Sequence, residues 1–92
     1  AVCAAMLPHV MAANRAALPE GHAAKRRYEL IAKWVDAAEL VRRSGVPGLR
    51  AWGAREEDFE AIAAKAASAS SMKANPVALT VETLRAILAA SL

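Results

Sequence analysis

Residues 24–41, Ala24-Lys25-Arg26-Arg27-Tyr28-Glu29-Leu30-Ile31-Ala32-Lys33-Trp34-Val35-Asp36-Ala37-Ala38-Glu39-Leu40-Val41, decide the fold class. Ala24, Tyr28, Ile31, Val35 and Ala38 recur at spacings of four, three, four and three, and Leu30, Trp34, Ala37 and Val41 form a second row beside them. Two adjacent rows of that period make a broad apolar helix face, with Lys25, Arg26, Glu29, Lys33, Asp36, Glu39 and Arg43 mostly on the other side. The spacing predicts one continuous helix from about His22 to Ser44, supported by Glu29–Lys33 and Glu39–Arg43 at i,i+4. Gly45 ends it, and Arg42 and Arg43 complement the negative end of its dipole.

The same period continues on both sides. Upstream, the stretch from Ala1 to about Leu18 reads as a helix with Pro8 inside it, where a missing N–H and a crowded carbonyl predict a kink. Pro19-Glu20-Gly21 closes it. Downstream, Gly45 to Gly53 is a turn, pinned to the core by Leu49 and Trp52. A third helix is expected over about Glu56 to Ser71, with Glu56, Glu57 and Asp58 in its first turn and Phe59, Ile62, Ala63, Ala66, Ala67 and Ser70 on one face. Lys73 to Leu79 is a loop carrying an Asn-Pro turn signal. Thr80 caps a fourth helix whose apolar stripe is Val81, Leu84, Ile87 and Leu88. No strand pattern occurs, so the expectation is a single all-α domain over 1–92 with about four helices and a short turn.

Composition narrows the function classes. The 92 residues are 57% hydrophobic but only 4% aromatic, and Ala supplies much of the apolar count. Ala favours helix yet brings little transferable area, so the core should be thin and suited to packing against a neighbour. The first helix has neither a capping residue before it nor an acidic first turn, which leads us to expect a piece of a larger protein. A net charge of +3, interleaved with acidic residues and few aromatics, argues poorly for nucleic-acid binding. One cysteine excludes an internal disulfide and a Cys-rich metal cage, and fits a cytoplasmic setting. The longest apolar stretch, Ala1 to Ala13, is too short to span a bilayer, so no membrane partner is expected.

Catalytic signatures are missing from the sequence. His9 and His22 lack any His-x-x-x-His or His-x-x-Glu spacing, so His9 reads as a hydrogen-bonded core residue and His22 as an exposed one. Cys3 reads as a small buried apolar residue rather than a nucleophile. Ser68, Ser70 and Ser71 lack a Gly-x-Ser-x-Gly elbow, and no glycine-rich nucleotide cradle occurs. Trp34 and Trp52 read as core anchors.

Two blocks carry a resemblance. Residues 1–14, Ala1-Val2-Cys3-Ala4-Ala5-Met6-Leu7-Pro8-His9-Val10-Met11-Ala12-Ala13-Asn14, and residues 69–80, Ala69-Ser70-Ser71-Met72-Lys73-Ala74-Asn75-Pro76-Val77-Ala78-Leu79-Thr80, resemble the C-terminal helical part of iron-containing (group III) alcohol dehydrogenases. Arg27-Tyr28-Glu29, Gly45-Val46-Pro47-Gly48-Leu49 and Asp58-Phe59-Glu60-Ala61-Ile62 fall between them in the expected order. The resemblance implies an NAD(P)-binding α/β domain upstream, absent from this chain. It also implies a divalent metal, iron or zinc, whose last His ligand would stand just before Ala1 and be followed by a Gly. No metal, catalytic or cofactor-binding residue carries over to these 92 residues. Ser71 and Met72 match a region near the substrate side of the family's cleft, against the plainer reading of a small-residue packing site.

One departure stands out. Relatives often have a longer excursion between the Tyr28 helix and the Trp34-Val35 region, where a single continuous helix fits this chain. The implied partners are the missing nucleotide-binding domain and upstream helices, with self-association as a further possibility. Two other classes remain as alternatives: a free-standing helical interaction module with Ala-rich faces, and a small basic DNA-binding domain around Gly45.

Overall fold

The structure, a computed structural model, describes residues 2–92. They form five α-helices joined by three 3-10 turns, and no strand occurs among the described residues. In chain order these are α1 (Val2–Ala17), α2 (Ala23–Trp34), α3 (Ala37–Arg43), α4 (Phe59–Ser68) and α5 (Val81–Ala90). The 3-10 turns are Leu49–Trp52, Glu56–Asp58 and Ser70–Ala74. The all-α class is as the periodicity requires. The uncapped start lies at Ala1, outside the described residues.

The core is small. Leu49, Phe59, Ala63, Leu84, Ile87 and Leu88 form one buried cluster, flanked by half-buried Met6, Val10, Met72 and Leu79. It lies where α4 packs against α5, with α1 against α5, and the Arg85 Nη1–Glu60 Oε2 pair at 3.3 Å spans α4 and α5 at the surface. Thr80 caps α5 as expected, its Oγ1 accepting from the Thr83 N–H at 3.1 Å. The end of the chain folds back onto the first 3-10 turn, where the Leu49 N–H donates to the Ser91 carbonyl at 2.8 Å.

The long helix expected over His22 to Ser44 is instead two. Val35 and Asp36 adopt extended backbone, and Asp36 starts α3 by accepting the Glu39 N–H on its Oδ1 at 3.0 Å. A carboxylate that satisfies an orphan N–H at a new helix start competes with continuation of the old helix. The break falls at Val35 and Asp36, directly after Trp34. Glu39 pairs with Arg42 at i,i+3 rather than with Arg43.

The helix expected over Glu56 to Ser71 is likewise shorter. It is a 3-10 turn leading into α4, and Ser70 and Ser71 begin a separate turn. By contrast α1 runs unbroken through Pro8.

Several burial expectations are reversed. Trp34 is 74% exposed and Trp52 56% exposed, so neither anchors the core; Leu49 alone pins its loop. Cys3 is exposed, not buried. His9 is half-buried, lines a shallow groove together with Thr83 and Ile87, and its imidazole makes no hydrogen bond among the described residues. No residue of α2 or α3 is buried; the main packing of both helices is against α1. Leu30, Ile31, Val35 and Leu40 are left exposed with Trp34.

Lys25 ties α2 back to α1. Its Nζ donates to the Leu18 carbonyl at 3.2 Å and to Glu20 Oε1 at 2.8 Å. That hydrogen bond, and then the Lys25 charge, hold the Glu20 carboxyl below its ordinary value. A lowered folded-state value means that the contribution is present above the ordinary carboxylate range and is lost as pH falls through the lowered one. We therefore expect Glu20→Gln to lower the thermal midpoint slightly near neutrality, with the difference closing in acid. A midpoint difference that is constant across that acid range would show that the pair contributes nothing.

Candidate functional site

The two blocks that carry the family resemblance meet in space. Asn14, near the end of α1, is 1% exposed. Its Nδ2 donates to Asn75 Oδ1 at 2.8 Å, and Asn75 Nδ2 donates back to Asn14 Oδ1 at 2.7 Å. Asn14 Nδ2 also donates to the Tyr28 hydroxyl oxygen at 3.0 Å, and Asn75 Nδ2 to the Val77 carbonyl at 2.6 Å. This reciprocal amide pair joins α1, α2 and the 69–80 segment, and no buried side-chain polar atom among the described residues is left without a partner. Burying amides is tolerated only when their donors and acceptors are matched, and a matched set fixes one geometry.

Beside that pair opens an apolar pocket of about 420 Å³. Met6 and Val10 of the first block line one side, and Ser71, Met72, Asn75 and Pro76 of the second line another. Ile62, Ala63 and Ala66 of α4 and Leu84, Ile87 and Leu88 of α5 close it. Ser71 is exposed at this pocket and Met72 half-buried, packed against the core. The structure thus brings Ser71 and Met72 to one wall, as neighbours in the Ser70–Ala74 turn. A concave, largely apolar site with few polar groups is the ordinary form of a small-molecule site.

Chemically the wall is inert. The pocket lining holds no acid, base or thiol, and Asn75 is already engaged in the amide pair. No group of three or more His, Cys, Asp and Glu side chains that could hold a metal occurs among the described residues. His9 and His22 sit apart: His22 Nδ1 accepts the Ala24 N–H at 3.0 Å and so caps α2, a role its position in the sequence does not disclose. Ser68 Oγ is directed to backbone carbonyls of its own helix. The arrangement offers an apolar molecule a concave wall.

The sequence patterns place Tyr28 on an apolar helix row and Asn14 at the end of the first block, but give neither a hydrogen-bonding role. The available signal was an Asn within an Ala-rich helix, a residue that competes with helical hydrogen bonding and needs a partner.

Compared with models of protein families, with curated proteins and with solved structures, the chain matches none of them. No helix among the described residues is long and apolar enough to cross a membrane.

Proposed function

We infer that this chain is the C-terminal helical segment of a metal-dependent, NAD(P)-linked alcohol dehydrogenase of the iron-containing type, cytoplasmic in setting. In this reading it forms one wall of the substrate cleft, with Ser71 and Met72 at the lining. The observation that supports it most is the amide pair: the 1–14 and 69–80 blocks, each of which resembles the family, are joined by Asn14 and Asn75 and share a pocket. A chance likeness of two remote segments would not require them to meet.

The parent enzyme would move a hydride between an alcohol and the nicotinamide, a reaction whose electronics belong to the cofactor. These residues do not fit a metal site, so no step is routed through one in this chain. Their part is to exclude water from an apolar face and to position Met72 and Ser71 beside it. Isothermal titration of the 92-residue chain with zinc or iron(II) should show no tight stoichiometric uptake; tight binding at one equivalent would overturn the assignment of all ligands to residues outside it.

Ser71 separates the cleft reading from simple packing. Because its side chain is exposed, Ser71→Ala should leave stability within about 0.5 kcal/mol. In the parent enzyme the same change should alter KM for the alcohol while kcat changes less. An unchanged KM, in both Ser71→Ala and Met72→Leu, would leave this turn a packing element and remove it from the cleft.

A second reading, a free-standing helical interaction module, draws on a different observation. The α2–α3 region, with the break between the two helices, leaves Leu30, Ile31, Trp34, Val35 and Leu40 exposed. A folded monomer with a cooperative melt and no alcohol-dependent activity in any longer form would favour it.

A further inference from the structure

The pocket beside the Asn14–Asn75 pair is graded from floor to rim. Ala63, Leu84, Ile87 and Leu88 at its floor are all buried, whereas Ser71 and Pro76 at its rim are exposed. No charged and no aromatic side chain lines it. The lining side chains that carry nitrogen or oxygen are Ser71 and Asn75. The Asn75 amide is engaged with Asn14 and the Val77 carbonyl, which leaves the Ser71 hydroxyl as the free polar group of the wall. We propose that this pocket takes an uncharged aliphatic alcohol or aldehyde of about eight carbons, its oxygen at Ser71 and its tail on the α4–α5 floor. The proposal rests on the dehydrogenase reading only for calling that molecule the substrate; the fit belongs to these residues.

Charge, polarity, shape and size each narrow the ligand. A carboxylate or phosphate drawn into the pocket would lose hydration and meet no cation, and an unpaired buried charge is far costlier than a buried neutral group. One hydroxyl, able to donate and to accept, matches one oxygen on the ligand; a second oxygen carried to the floor finds no partner. With no ring in the lining to stack on, an aromatic ligand gains nothing beyond its area. Met6 and Met72, on two different walls, are unbranched thioethers that conform to a flexible chain. As to size, an enclosed aliphatic cavity of about 150 Å³ holds one benzene. The 420 Å³ here leaves room for the longer chain with one side open.

Titration of the 92-residue chain, labelled at its methionine methyl groups, with 1-butanol, 1-hexanol and 1-octanol tests the proposal. The Met6 and Met72 signals should shift saturably, and affinity should rise about fourfold for each added methylene. Met11, which lines a different groove, should stay unmoved. Octane-1,8-diol, whose second hydroxyl would be carried to the floor, should bind roughly ten to a hundred times more weakly than 1-octanol. Octanoate should bind at least about tenfold more weakly.

Two substitutions fill the pocket from different sides. Ala66→Leu, at a half-buried position of α4, and Ala74→Leu, at an exposed one in the Ser70–Ala74 turn, should each weaken 1-octanol by about tenfold or more. Unchanged helical circular dichroism shows that a variant has folded, and the exposed site serves where the half-buried one disturbs the helix. Absence of saturation with 1-octanol overturns the proposal, as does a Met11 shift equal to those of Met6 and Met72. A diol that binds as tightly as 1-octanol, or an affinity unmoved in both variants, overturns it equally. Because the readout needs neither metal nor nicotinamide, its failure is distinct from failure of the dehydrogenase reading, which is read upstream of Ala1.

Discussion

Asn14→Leu is expected to destabilise the fold by about 3 kcal/mol, because it strips a buried amide from a matched set and strands its partner. The Asn75 amide loses both a donor and an acceptor at once, and the Tyr28 hydroxyl loses its donor. Leucine keeps the branching of asparagine and is the bulkier of the two, so no cavity is opened and loss of packing does not explain the effect. For a chain of 92 residues total stability is roughly 5–14 kcal/mol, so this one change removes a large share of it.

The double-mutant cycle is more specific than the single variant. Asn14→Ala and Asn75→Ala should couple by about 1–2 kcal/mol, because once one amide is gone the other has little left to lose. Urea midpoints read by circular dichroism give all four corners of the cycle. Strict additivity would mean that the two amides do not act as a pair.

The second large effect is expected at Gly48. Its backbone, at φ −71°, is open to any residue, so nothing in its conformation calls for glycine. What calls for it is the returning end of the chain: an added Cβ would lie 3.0 Å from the Ser91 carbonyl oxygen and overlap the Leu92 carbonyl. Backbone atoms cannot rotate out of the way as a side-chain tip can. Gly48→Val should therefore cost about 2–3 kcal/mol through displacement of the chain end.

Gly53 provides the contrast. It lies at φ 88° with open space around it, so Gly53→Ala should cost only about 1 kcal/mol, through strain alone. Hydrogen exchange distinguishes the two mechanisms. The Leu49 N–H, bonded to the Ser91 carbonyl at 2.8 Å, should lose protection in Gly48→Val and keep it in Gly53→Ala. Equal protection in both would show that the chain end does not dock there.

The helices were legible in the sequence because their apolar residues recur at the helical period, and because Thr80 and Gly45 mark ends by known chemistry. The break between α2 and α3 was less so. The apolar rows run straight across it, and a row of period 3.6 cannot tell one long helix from two short ones with the same face inward. The contrary signal was Asp36-Ala37-Ala38-Glu39, an N-cap residue followed by an acid three positions later. Local capping chemistry outweighed periodicity there.

Burial was misread for a different reason. The pattern of Leu30, Trp34 and Val35 states which side chains gain by leaving water, but not whether anything is present to cover them. Trp52 is exposed for the same reason, while Leu49, three residues earlier in that turn, is held by the chain end returning over Gly48. The site was half legible. Ser71 and Met72 came from the resemblance, and the pocket they line has walls that no local pattern connects. Asn14 and Asn75 stand 61 positions apart, and their pairing depends on how α1 lies across the 69–80 segment.

In the proposed dehydrogenase, α1 continues from a metal-ligating histidine encoded upstream of it. Sequencing the genomic DNA immediately upstream of the Ala1 codon tests it most directly. An open frame with His-Gly encoded just before Ala1, preceded by further helical sequence and an NAD(P)-binding α/β domain, is the expected result. An in-frame stop or an initiator Met directly before Ala1, or an open frame without that histidine, would contradict it.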